Sequence, residues 1–551
     1  MFSNLFSVFI ARRLSTSSKL PNISKINSRY KKSAILQAQN ALTEYLHGTS
    51  CLPYVYAEHI SKNSPLSLAS LIAKVDFSAV AFSKNFKKFL RYHPINEFEF
   101  FFESIGIDYN DISGLLPSNK FFFSEDRTLL DAAGALSEFG FPWNELGKLY
   151  MENSSIFRSS AGELKSKLSE FKKYGFCNVH LVGICLAFPY TLSGGCEVCA
   201  ESEALLNFLK LVFLDFELAL SVEGNMNSWH EVCRKIRVFY DLSGDKERLV
   251  ELVGRNKNIF LEHDEEVLIQ KVEYFCRFGV NNEEVVALLL QSPELLSLNL
   301  DKPVINIMKL LEYSGLETEN LKDVNQKYDH VLGTNKIANL PQVMRALDLH
   351  EWFFNKIKDG NHQLLMKYIA SYPDEDRAEE YRSGLEMIHV SRTPNHTMSK
   401  LNLLHNWGFG ENASIFDLLA HLHGTSIELK ERFDCLLSLG IGYSKLCKMV
   451  RMTPKILNQN VQTLEQKVNF LCQGVGCSLE YLHTYPGYLL FGLENRIKPR
   501  YRFHTWLAEK GLCTKDYSIA SLVATSEKAF LARVYKMHPA APKHWFEQFR
   551  V

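Results

Sequence analysis

The sequence predicts an all-α protein, a solenoid of helical repeats about 34 residues long. Three observations carry that prediction. Ten glycines recur along the chain: Gly106, Gly140, Gly175, Gly244, Gly279, Gly315, Gly408, Gly440, Gly474 and Gly511. Most are separated by 32 to 37 residues; one gap of 69 is a double period and one of 93 holds irregular units. A large apolar residue stands four positions before each glycine, from Phe102 to Leu507, and another follows directly in all but one case, where Asp245 stands instead. A proline then follows at 11 to 14 residues in five units: Pro117, Pro189, Pro293, Pro454 and Pro486. Self-similarity at such a period is the mark of stacked supersecondary units.

Each element of the unit has a physical reason. The first helix ends at the glycine, which accepts the left-handed backbone that closes a helix, while the apolar residues on either side pack into one core. A short polar stretch such as Asn281–Glu284 opens the second helix, because acidic groups are favoured at the positive end of the helix dipole. The proline ends that helix, since it lacks an N–H and turns its predecessor away from helical geometry. The unit reads as helix, glycine turn, helix and proline break.

In chain order, residues 1–43 stand apart. They contain no Asp or Glu, seven basic residues including the Arg12–Arg13 pair, and eight serines. This is the composition of an organellar transit peptide; the mitochondrion is preferred over the chloroplast because the paired arginines lie near the start, and an ordinary basic tail is the plainer reading. Residues 44–94 form an N-terminal helical or linker region, 95–515 hold the repeats (irregular at 205–245 and 320–400), and 516–551 form a helical tail. No apolar run is long enough to cross a bilayer. Twelve scattered cysteines show no disulfide framework and suit reduced thiols.

Residues 285–315 (VVALLLQSPELLSLNLDKPVINIMKLLEYSG), 446–476 (LCKMVRMTPKILNQNVQTLEQKVNFLCQGVG) and 491–512 (FGLENRIKPRYRFHTWLAEKGL) resemble the repeat of mitochondrial transcription termination factors, in their plant organellar branch. The resemblance covers roughly residues 95–515. It implies two antiparallel helices and a smaller third helix per repeat. It further implies a half-doughnut superhelix with a basic inner groove for organellar double-stranded DNA or RNA.

Two basic clusters fit phosphate contacts in such a groove: Arg496, Lys498, Arg500 and Arg502, and Lys445, Lys448, Arg451 and Lys455 at helical spacing. A third, Lys84, Lys87, Lys88 and Arg91, lies near the N-terminal end. For each, a solvated helix face is the plain alternative. Without residues 1–43 the chain carries 55 basic and 62 acidic residues, so a nucleic-acid binder must gather its positive charge on one surface.

Catalysis finds no support in the sequence. Three Gly-x-Gly pairs, at 408–410, 440–442 and 474–476, fall at the glycine turn of the repeat rather than after a strand. Cys196 and Cys199 form a lone CxxC pair, and Cys177, His180 and Cys185 upstream have the wrong spacing for a second tight pair of zinc ligands. We therefore expect no enzyme, metal or cofactor, but a monomeric regulator of mitochondrial gene expression acting in the matrix at transcription termination or transcript processing. The alternative is a protein-interaction scaffold that works without direct nucleic-acid binding, in contact with the organellar expression machinery. A pentatricopeptide array shares the period but has no recurring proline break.

Overall fold

A computed structural model describes residues 26–78, 80–194, 199–300, 307–333, 339–366, 379–513 and 517–550. Among the described residues every regular element is a helix. They fall into two compact units, the first ending at Glu265 and the second starting at Glu266. The prediction of an all-α helical-repeat fold holds.

The unit read from the sequence is present. In the second compact unit, the first helix Ser426–Ser438 leads through a glycine turn into the second helix Tyr443–Met452, then a short 3-10 turn Pro454–Asn458 and the next first helix Val461–Asn469. In this unit the first helices Pro394–Asn406, Ser426–Ser438 and Val461–Asn469 pack in succession, and Tyr443–Met452 packs on the next second helix, Glu480–Thr484, so apolar faces are buried between neighbouring repeats. Helix starts are set locally. Thr425 closes a capping box with Glu428, and Ser160 does the same with Glu163 ahead of Ala161–Phe171.

Eight of the ten glycines adopt a positive φ, from +72° at Gly511 to +125° at Gly140, as a helix-ending turn requires. Gly474 does not. There the chain widens into a π turn over Phe470–Gly474, which pushes the left-handed position two residues on, to Gly476 at φ +78°. Gly244 is absent from the left-handed set as well: the helix before it, Met226–Tyr240, ends at Asp241 in right-handed geometry, three residues short of the glycine.

The proline break has one geometry. Phe188, Ser292, Thr453 and Tyr485 precede their prolines with φ from −127° to −145° and ψ from 70° to 73°, and each proline opens a 3-10 turn. These turns are the small third helix. Pro117 opens no such turn, because the preceding helix, Tyr109–Ile112, has already ended.

The segment expected as a leader ends at 43, within a folded element. Residues 1–25 lie outside the described residues, but Ser28–Gly48 is one helix with Ala34, Ala38, Ala41 and Leu42 fully buried. It packs on Tyr54–Asn63 and Phe82–Tyr92. Its basic, Ser-rich sequence mimics a leader on the exposed side, while the alanine stripe at helical spacing fixes it to the core. The tail also folds. Ile519–Ala524, Glu527–Met537 and Ala541–His544 close over Lys498–Glu509 through a core of Phe503, Leu507, Leu522, Phe530, Val534 and Trp545.

Candidate nucleic-acid interface

The structure divides the basic residues into two classes. The first is buried or half-buried and ties neighbouring elements together. Lys167 donates from its first helix to the Ser193 and Gly194 carbonyls (2.5 and 3.2 Å), just past the 3-10 turn Pro189–Leu192. Lys271 reaches the Leu298 carbonyl, Lys400 that of Leu422 (3.0 Å) and Arg432 that of Leu457 (2.9 Å). All four stand eight residues before the turn glycine of their unit. Lys467, one register off because of the π turn that follows it, donates to the Leu489 carbonyl (2.7 Å) and to Gln459. The carbonyls at the end of a short turn have no helical partner, so a cation from the adjoining first helix satisfies them.

Arg500 belongs to this class. It is 2% exposed, and its guanidinium donates to the carbonyls of Leu522 (3.0 Å) and Thr525 (2.7 Å) and to Glu527 (2.7 Å), stacked 4.6 Å from the Phe530 ring. Arg496 donates to the carbonyls of Val523 (2.8 Å) and Thr525 (2.7 Å). Both cap the end of Ile519–Ala524 and tie the tail to the last repeat. Lys498 is held by Glu494 one turn back. Of that cluster only Arg502 is exposed with no ion-pair partner.

The second class lies on Tyr443–Met452. Leu446, Cys447, Met449 and Val450 are buried, while Lys445, Lys448 and Arg451 follow one another at three-residue spacing along the outer side. Lys445 pairs with Glu480 (2.5 Å) and Arg451 with Asp329, both of them solvent-exposed pairs. Such pairs contribute only ~0–1 kcal/mol and exchange readily for a phosphate. Lys448 is exposed and has no partner, and Lys455 on the following 3-10 turn is likewise exposed and unpaired. The structure thus gathers Lys445, Lys448, Arg451 and Lys455 along one helix and its turn, and separates Arg496 and Arg500 from Arg502.

The zinc alternative loses its geometry. Cys196 lies outside the described residues. Cys185 is buried, where loss of water pushes its thiol up to about 12, and His180 is stacked on Trp229 at 3.8 Å. Among the described residues no three His, Cys, Asp or Glu side chains gather to hold a metal, and no helix is long and apolar enough to cross a membrane.

Repeated helix pairs and proline turns define an all-α helical-repeat protein, and one of its helices carries an outward row of cations. A model of the mTERF family matches residues 207–345 and 390–531. The chain is 53% identical over 525 residues to "Transcription termination factor MTEF18, mitochondrial" of Arabidopsis thaliana, a match that spans 95% of this chain and 94% of that protein. From the same plant, "Transcription termination factor MTERF15, mitochondrial" is 31% identical over 103 residues (19% of this chain, 23% of the relative). "Transcription termination factor MTERF8, chloroplastic" is 21% identical over 253 residues (45% and 46%). The chain belongs to the mTERF family, as the repeat sequences imply.

Proposed function

We propose that this protein binds nucleic acid in the mitochondrial matrix and regulates gene expression there, at transcription termination or transcript processing. The observation that carries the proposal is the row Lys445, Lys448, Arg451 on one side of Tyr443–Met452, continued by Lys455. Four cations on one helix and its turn are a backbone-gripping surface even where the chain as a whole is not basic. The name of the relative that spans nearly the whole chain, a mitochondrial transcription termination factor, supports the compartment and the process. The leader in this reading ends before Ile26, because the helix from Ser28 is part of the folded core.

The experiment is a salt titration of the protein on duplex mitochondrial DNA and on RNA, with Lys448, Lys455 and Arg502 changed to Gln. All three are exposed, so stability should stay within ~0.5 kcal/mol of the parent. The expected result is weaker binding and a flatter plot of log affinity against log salt, by about 0.9 for each duplex phosphate no longer neutralised. Binding to neither ligand at low salt would overturn the reading and leave a protein scaffold as the better account. The preferred ligand separates transcriptional from transcript-level action.

A further inference from the structure

The Phe82–Tyr92 helix and the cleft beside it lie outside the residues that the family model matches. Phe82, Phe86 and Leu90 form its buried stripe, each at most 2% exposed. Its other side carries four cations and no acid. Lys87 pairs with Glu44 at 2.5 Å, which pins the helix to Ser28–Gly48. Lys84, Lys88 and Arg91, spaced four and three residues apart, are exposed and have no partner.

Arg91 also lines a cleft of about 610 Å³, which it shares with Arg127, another exposed and unpaired arginine. That volume suits one nucleotide, within the ~300–1,000 Å³ of small-ligand sites. The Glu97 side chain lines the same cleft, fully buried, with its two carboxylate oxygens already taken by the Ser50 hydroxyl and the Phe123 N–H (2.7 Å). A buried carboxylate opposes a phosphate deep in the cleft and leaves the phosphate to the two arginines, with the serine and threonine hydroxyls of Ser124 and Thr49 for a base edge.

Flat surfaces for bases stand next to the cations. The Tyr92 side chain is 72% exposed, and Phe89 and His93 stack on each other with ring centroids 4.2 Å apart and planes within 10°. Aromatic faces beside phosphate-binding cations serve unpaired bases, since bases inside a duplex present no face to stack on. A membrane is a poor occupant, because the apolar side of this helix is already buried in the fold.

We propose that the first compact unit holds a second nucleic-acid site, specific for single strands, in which Lys84, Lys88, Arg91 and Arg127 grip the backbone while Tyr92, next to Arg91 on the same helix, stacks on a base. This rests on the reading of the protein as a nucleic-acid binder, and adds a site and a strandedness that the repeat surface does not supply.

The test uses the full chain, a fluorescent 12-residue oligouridylate and a duplex of mitochondrial DNA. Two variants are compared: one with Lys84, Lys88, Arg91 and Arg127 changed to Gln, and Tyr92→Ala alone. The expected result is that the first weakens oligouridylate binding at least tenfold with a flatter salt plot. Tyr92→Ala should weaken it about fivefold at unchanged salt slope, and neither should move duplex affinity more than twofold. Far-ultraviolet circular dichroism and melting temperature confirm that each variant is folded. Oligouridylate affinity unchanged in both variants, with duplex binding intact in the parent, would overturn this site and leave the proposed function standing. Equal losses on duplex and single strand would overturn the strandedness. A parent that binds neither ligand would sink the functional reading itself.

Discussion

Replacing Arg500 by Met is expected to cost the second compact unit about 3 kcal/mol of unfolding free energy and to loosen residues 517–550 from the last repeat. The side chain is 2% exposed and donates to two backbone carbonyls and to Glu527, while its flat face lies on Phe530. Hydrogen bonds from a charged donor contribute roughly 1.5–3 kcal/mol, and a buried carbonyl left without its donor costs ~1–3 kcal/mol more, so the loss exceeds that of an ordinary surface change. Glu527 would keep only Trp545, whose indole N–H donates to it at 3.0 Å. Lysine should not restore the parent, because one ammonium cannot span the Leu522 and Thr525 carbonyls and the Glu527 carboxylate as a planar fork does. Urea unfolding measures the first effect. Limited proteolysis measures the second, with new cleavage expected between residues 513 and 530. Arg502→Met, two residues away but exposed, should change neither by more than ~0.5 kcal/mol.

The second large effect is expected at Lys467. It is 3% exposed on Val461–Asn469 and closes the 3-10 turn Pro486–Leu490 through the Leu489 carbonyl and Gln459, with the Tyr488 hydroxyl donating to its own carbonyl at 3.2 Å. Lys467→Met fits the space but leaves the Leu489 carbonyl with only the Gln459 amide as donor, so a loss of about 2–3 kcal/mol is expected in urea unfolding. Gln459→Leu should add less than its own separate cost in the double variant, because the two side chains share one hydrogen-bond network. The same substitution at Lys448, exposed and unpaired, is expected to leave stability unchanged while weakening nucleic-acid binding. Opposite readouts from two lysines of adjacent helices would separate the structural cations from those proposed to bind.

These contrasts explain how far the sequence could be read. The helix pairs were legible because one glycine turn and one proline break impose a fixed spacing, and the same residues make the same φ and ψ at Ser292, Thr453 and Tyr485. Gly474 was misplaced because a π turn moves the left-handed position on to Gly476 without altering composition. The leader boundary expected at 43 lies within the helix Ser28–Gly48: SRYKKSAILQAQNAL is basic and Ser-bearing like a leader, while Ala34, Ala38 and Ala41 form a buried stripe.

The basic clusters were legible as clusters and only partly as surfaces. In NRIKPRYRF the four basic residues read as one set fit for phosphate contacts. On the helix Lys498–Glu509, however, Arg500, Phe503 and Leu507 share the buried stripe, whereas Arg502 stands apart. The cation eight residues before each turn glycine carried the same signal in four units, and its regular phase against the core was the clue that it holds backbone carbonyls.

The most direct measurement of the central claim is amine-reactive footprinting of the lysines by mass spectrometry, with and without bound mitochondrial nucleic acid. Lys448 and Lys455 should react in the free protein and lose most of that reactivity when nucleic acid is bound. Lys167 and Lys467, 2% and 3% exposed, should stay unreactive in both states. A footprint in which nucleic acid binds while Lys448 and Lys455 react as before would contradict the account and place the phosphate-gripping surface elsewhere on the chain.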